Sequence, residues 1–179
     1  MTRTTTILRL REVRAHDSPK YFDWINNRDL VHLNATYQPI SSQAHEDWFS
    51  SITKHSNLVI FSIVLSEENK PETLIGSCSL RNIDHLSRTA ELQIRIGEQS
   101  AQNKGWGSQA VGKLLEFGFN DLNLNRIYLD VFTDNKRAVR TYEKNGFHQE
   151  GIKKQAVFIN GEYKDVCFMA ILKNDYAKK

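Results

Sequence analysis

The chain has 179 residues, enough for one domain with a sizeable core. Hydrophobic residues make up 40% and charged residues 25%, the balance of an ordinary globular protein rather than a disordered one. A net charge of +3 without a basic stripe argues against a nucleic-acid-binding face, and no run of 18 apolar residues is present to cross a membrane.

Residues 1–6 are polar and carry no apolar signal region. Cys78 and Cys167 each sit singly in an apolar, strand-like run, and are expected as buried reduced thiols. Both features predict a cytoplasmic protein. The six histidines are scattered without metal-ligand spacing, so no metal is expected.

Residues 7–13 alternate Ile7, Leu8, Leu10 and Val13 with Arg9 and Arg11, the pattern of a first strand. Ser18-Pro19 opens a helix that carries Tyr21, Phe22, Trp24 and Ile25 and fades at Asn26-Asn27. Residues 28–40 are expected to be irregular. A second helix starts at Ser41-Ser42, with Ala44, Trp48, Phe49 and Ile52 at helical spacing. Trp24, Trp48 and Phe49 read either as core or as one wall of a substrate site.

Strands are predicted over residues 58–65, 74–83 and 89–96, separated by a charged proline turn and a polar turn. The last of the three puts Leu92, Ile94 and Ile96 on one face and Glu91, Gln93 and Arg95 on the other. A glycine-rich stretch then leads into an amphipathic helix after Gly107. A strand follows over 127–132, and a helix over 136–144 that stops at Asn145-Gly146. A final hairpin turns at Asn160-Gly161, and residues 174–179 are expected to fray. The order β α α β β β α β α β β predicts one mixed α/β (α+β) domain over residues 1–179, with its core at about 7–172. Its sheet is mostly antiparallel, with one parallel connection around the 107–122 helix.

Glycines ahead of a helix N-terminus let an anion approach unpaired backbone N–H groups, so a phosphate-bearing ligand is expected between Gln102 and Ser108. Gly105-Trp106-Gly107-Ser108-Gln109-Ala110 also fits a dinucleotide loop, with Asp130 as a ribose-binding acid. Two features count against that ligand: a long polar stretch separates Gly97 from Gly105, and hairpins precede it instead of a parallel sheet.

Gln102-Asn103-Lys104-Gly105-Trp106-Gly107 resembles the Q-x-x-G-x-G/A pyrophosphate loop of GCN5-related N-acetyltransferases (the GNAT superfamily). Asn135-x-x-Ala138-x-x-x-Tyr142-x-x-x-Gly146-Phe147 is similar to that family's later helix. The resemblance runs from Leu8 to Leu172. At residues 87–92 and 158–166 it points to the RimJ/RimL-like branch, which also includes spermidine N-acetyltransferases.

The resemblance implies acetyl-CoA as co-substrate and an N-acetyltransferase reaction by direct attack in a ternary complex. It places the pantetheine arm along Ile94, Arg95 and Ile96, whose strand splays from the next one. It places the pyrophosphate on Gln102, Asn103, Lys104, Gly105, Trp106, Gly107 and Ser108, with Asn135 and Ala138 beside them. Tyr142 is then the acid for the leaving thiolate, and a backbone N–H near Ile94 meets the thioester oxygen. Glu91, on the same strand, is a candidate base.

The acceptor is expected to be a peptide N-terminal amine or a small amine. Alternatives are a spermidine or other polyamine acceptor, an aminoglycoside or amino sugar, or a non-catalytic acetyl-CoA-sensing module. The resemblance implies clustered acids in the early helix region for polyamine acceptors, whereas residues 32–40 contain none. A homodimer is the common habit of such enzymes.

Overall fold

Strand residues alternate between two faces, so a sheet covered on both sides must bury both sets. This chain forms one sheet of seven strands and covers both faces of its central part, while the strand His148–Ile159 stays largely exposed. The computed structural model describes residues 5–33 and 35–177. Expectations placed on residues 1–4, 34 and 178–179 lie outside the described residues.

The elements are β1 (Ile7–Glu12), α1 (Ser18–Asn26), α2 (Arg28–Val31), α3 (Ser42–Ser51), β2 (Val59–Ser66), β3 (Thr73–Asp84), β4 (Thr89–Ile96), α4 (Trp106–Glu116), β5 (Arg126–Phe132), α5 (Lys136–Lys144), β6 (His148–Ile159), β7 (Glu162–Leu172) and α6 (Lys173–Tyr176). The sheet order is β1-β2-β3-β4-β5-β7-β6, and every neighbouring pair is antiparallel except β4 and β5. The mixed, mostly antiparallel architecture follows the expected order. Among the described residues no helix is long and apolar enough to cross a membrane.

Three local expectations need correction. The stretch expected to be irregular holds α2, because the Asn27 side chain accepts the Leu30 N–H at 3.0 Å and caps a turn. Four residues are too few for a helical period to show in the sequence. The helix expected after Gly107 begins at Trp106, with Gly105 as N-cap at φ +83°. The tail expected to fray holds α6, whose Tyr176 ring lies 5.0 Å from that of Phe119. The final hairpin turns as expected, with Asn160 at φ +52° and Gly161 at φ +83°, the left-handed pair that a tight two-residue turn needs.

One face of the sheet packs under α4, where Ala110, Val111, Leu114 and Leu115 meet Leu80, Leu92, Ile127 and Met169. The opposite face packs under α1, where Tyr21 and Trp24 meet Val64 and Leu74. Ile63 and Val64 are neighbours in β2 and enter different cores, as alternation requires.

A polar row crosses the α1 face. Arg11 of β1 pairs in register with Ser62 of β2, Ser62 with Ser77 of β3, and Ser77 with Arg95 of β4. At its β1 end, Arg11 grips the buried Asp17 with two hydrogen bonds of 2.8 and 2.9 Å. The Arg14 N–H and the Ser62 hydroxyl also donate to Asp17, and Ser62 bonds the Tyr21 hydroxyl at 3.1 Å. This cluster seats the start of α1 on the sheet.

Burial pushes the Asp17 carboxyl up, but the Arg11 guanidinium, the Arg14 N–H and the Ser62 hydroxyl outweigh it and hold it down at about 2. A folded value below the ordinary one of about 3.9 supplies stability in full above that value. The stability is then lost as pH falls through about 2. Urea midpoints should therefore drop below about pH 4. Asp17→Asn should cost about 3 kcal/mol at neutral pH and should lose this part of the acid dependence.

Candidate functional site

β4 and β5 pair only over three positions, Thr89↔Arg126, Ala90↔Ile127 and Glu91↔Tyr128. Beyond Glu91 the strands part. β4 continues to Ile96 and is paired on its other side with β3, through Cys78↔Ile94, Ser77↔Arg95 and Gly76↔Ile96. Its edge toward β5 is left with backbone groups that have no strand to bond. β5 turns instead toward β7 over its whole length. The wedge between the two is a cavity of about 570 Å³.

Twelve of the fourteen residues that the acetyltransferase resemblance singled out line this cavity. They are Glu91, Ile94, Arg95 and Ile96 from β4, Gln102, Asn103, Gly105, Gly107 and Ser108 from the loop and α4, and Asn135, Ala138 and Tyr142 from the start and middle of α5. Lys104 and Trp106 are not part of the lining. The Trp106 side chain turns in against the core, and Lys104 is exposed.

The loop is held at both ends. Gln102 Nε2 donates to the Ile96 carbonyl at 3.1 Å, closing the loop onto the end of β4. Arg137 of α5 donates to the Asn103 side chain, and Asn145 donates to the Ser108 hydroxyl at 3.0 Å. The Gln109 N–H bonds the Gly105 carbonyl. In a helix that leaves the amides of Trp106, Gly107 and Ser108 without an intrahelical partner. Of these, Gly107 and Ser108 line the cavity at the positive end of α4, an arrangement suited to an anion.

Asn135 caps α5 by accepting the Ala138 N–H at 3.1 Å, and its amide donates to the Leu33 carbonyl at 3.3 Å. The α2 segment is thereby drawn over the cavity, where Leu30 and Leu33 form part of the wall. Tyr142 is half-buried, with its ring 5.7 Å from that of Phe147. Burial pushes its hydroxyl up to about 12, so it stays protonated throughout the neutral range. Among the described residues nothing hydrogen-bonds that hydroxyl.

Glu91 sits where the strands part. Arg81 holds one of its oxygens and Asn82 the other, the latter at 3.0 Å.

The sequence reading missed Arg137, which reaches both the loop and the cavity. A signal was present. The first turn of α5 holds Lys136 and Arg137 and no acid, against the preference of a helix N-terminus for negative charge. An anion bound nearby relieves that mismatch.

A second cavity of about 450 Å³ lies on the α1 face of β4, between Tyr21, Ile25, Ile40, Ala44, His45 and Trp48 on one side and Ser77, Ser79, Gln93 and Arg95 on the other. Gln93, Ile94 and Arg95 border both cavities. Trp24, one of the aromatic residues with two possible readings, is buried core, whereas Trp48 is 42% exposed and lines the second cavity. His85 and His148 are exposed and outside both cavities.

Residues 8–148 match the family model described as an acetyltransferase (GNAT) domain. The chain is 39% identical over 112 residues to spermidine N(1)-acetyltransferase of Vibrio cholerae, a match covering 63% of this chain and 64% of that protein. It is 33% identical over 175 residues to the N-acetyltransferase YoaA of Bacillus subtilis, covering 94% and 95% of the two chains. It superimposes on the crystal structure of spermidine N-acetyltransferase from Vibrio cholerae in complex with CoA and spermine with a TM-score of 0.81 and 32% identity, over 95% of this chain and 98% of that one.

A methyl group added at Gly105 would meet nothing within 4 Å, so the whole cost of Gly105→Ala lies in its φ of +83°. Urea unfolding should show a loss of about 1 kcal/mol. Gly107→Ala, inside the helix and with open space to 3.8 Å, should be neutral or stabilising by up to about 1 kcal/mol.

Proposed function

The chain belongs to the acetyltransferase (GNAT) family, and on that premise we propose that residues 1–179 act as one unit that acetylates a primary amine by direct attack on acetyl-CoA in a ternary complex. The observation that carries this reading is the wedge itself, where an open strand edge, unpaired amides and a protonated tyrosine face one space.

The pantetheine arm would add as a strand to the free edge of β4 at Ile94–Ile96, trading amide bonds with it. The pyrophosphate would sit on the amides between Asn103 and Ser108, with the Arg137 cation and the Asn135 turn across from it. Lys104 supplies charge from outside the lining. Trp106 contributes only its backbone, since its ring is in the core.

The acceptor enters from the second cavity and meets the thioester at Gln93–Arg95, the residues common to both cavities. The amine lone pair forms the C–N bond, the thioester oxygen gathers charge against a backbone N–H near Ile94, and the C–S bond then breaks. The proton lost by nitrogen goes to water held by Glu91, whose oxygens keep lone pairs beyond those used by Arg81 and Asn82. Tyr142 donates a hydrogen bond to the departing thiolate, and a proton it passes on is regained from water. A phenol at about 12 is a weaker acid than a thiol of about 8.5, so its main contribution is a hydrogen bond that strengthens as the charge grows.

A peptide N-terminus or a small amine is the acceptor we propose. The second reading, a polyamine, is favoured by the names of the Vibrio cholerae relatives. A cytoplasmic location fits the two free thiols. The exposed Ile152, Phe158 and Tyr163 on the outer hairpin offer a face for a homodimer, and sedimentation at rising concentration should show a second copy binding there.

Thiol release from acetyl-CoA across peptides, small amines and polyamines tests the reaction. A non-catalytic sensor would bind CoA and release no thiol with any of them. Tyr142→Phe should lower kcat by about 100-fold with CoA affinity nearly unchanged. In the parent protein, kcat/KM should rise with pH as the amine deprotonates. Tyr142 should impose no fall until pH approaches about 12.

A further inference from the structure

The polar row across the α1 face has an arginine at each end, and the two are treated differently. Arg11 has Asp17 and Glu72 as partners. Arg95 has neither an acid nor any hydrogen-bond partner among the described residues, and its Nε is buried with nothing to donate to. Burial alone pushes its pKa down.

By the strand period, Arg95 shares a face with Glu91 and Gln93 and lies opposite Ser77. That face carries Ser62, bonded to Tyr21 of α1, so the guanidinium projects away from α4 and the phosphate loop. Arg95 borders both cavities, and the lining of the second, on that face, contains no carboxylate among the described residues. The other titratable ring there that is basic, His45, is bonded to the Ser18 hydroxyl and carbonyl. The rest of the wall is apolar and aromatic, with Ile25, Ile40, Ile60 and Trp48. A cavity with one unpartnered cation and no acid repels a polycation. A half-buried guanidinium without a partner is costly unless a ligand supplies one.

We propose, building on the acetyl-transfer reading, that the acceptor amine carries an anionic group on an apolar body and that Arg95 binds that group. The planar fork of donors on a guanidinium suits the paired oxygens of a carboxylate or a phosphate. The polyamine of the related Vibrio cholerae structure is then the wrong acceptor for this chain.

Matched amines that differ only in the anion test this. Phenylalanine is compared with phenethylamine, O-phosphoethanolamine with ethanolamine, and spermidine stands as the polycation. Thiol release should give a kcat/KM at least tenfold higher for one anionic member than for its uncharged-body twin, and the pair that responds distinguishes carboxylate from phosphate. Arg95→Gln should bring that ratio close to one, and Arg95→Lys should restore part of it. Spermidine or the decarboxylated amines being used as well as their anionic twins would overturn the proposal, as would a ratio unmoved by Arg95→Gln.

A second measurement needs no turnover. Calorimetric titration of 3-phenylpropionate and phenylphosphonate should show binding of at least one, weakened at least tenfold by Arg95→Gln. Binding of neither overturns the proposal. Failure of CoA itself to bind would instead strike the acetyl-transfer reading, and the anion titration would still be readable on the protein alone.

Discussion

The parting of β4 and β5 is the constraint from which the rest of the site follows. Three residues of parallel pairing join the two halves into one sheet. Beyond them each strand follows a different neighbour, β4 staying with β3 and β5 with β7. Backbone groups without partners are expensive when kept from water. The open edge of β4 is therefore a place where an extended, amide-bearing chain gains hydrogen bonds without displacing a strand. The α4 crossover, needed to connect parallel neighbours, brings a helix N-terminus to the same opening. One topological feature thus sets both a strand-like edge and an anion-binding end at fixed separation.

The helices on the other face complete the arrangement. α1 is seated by Asp17 and its ring of donors, and Trp24 packs where Gly97 leaves room. A methyl added at Gly97 would fall 2.1 Å from that ring. The end of β4 and the packing of α1 are therefore one unit, and the second cavity between them inherits its shape from both. Across the wedge, Asn135 ties α5 to the α2 segment through the Leu33 carbonyl, and Thr36 bonds the Phe158 carbonyl on the outer hairpin. The wedge and the cavity on the α1 face are separate and share Gln93, Ile94 and Arg95 of β4.

Electrostatics divides these cavities further. At the wedge the first turn of α5 carries Lys136 and Arg137 and the N-terminus of α4 adds the positive end of its dipole. In the second cavity a single unpaired guanidinium stands among mostly apolar and aromatic walls. Residues 32–40 lack acids, and the structure adds that no acid from elsewhere among the described residues takes their place in that lining.

Much of this was legible in the chain itself, wherever the determining physics is local. Alternation in residues 89–96, Asn135 ahead of its helix and Asn160-Gly161 between two strands each depend on a few neighbours, and each element formed as read. The glycine-rich loop and the spacing from Asn135 to Tyr142 pointed to residues that do share one cavity. Short elements escaped: α2 rests on a single side-chain cap and α6 on packing against Phe119. Arg137 and the second cavity escaped because their meaning depends on elements far apart in sequence. Glu91 showed its position but not its partners, since Arg81 and Asn82 reach it only through strand register. The sequence by itself determined the longer strands and helices and placed a glycine-rich loop ahead of a helix N-terminus, because propensity, capping and glycine geometry act within a few residues. Only the tertiary structure decided where β4 and β5 separate and which charges are left without partners, because strand pairing and desolvation are properties of residues brought together by the fold.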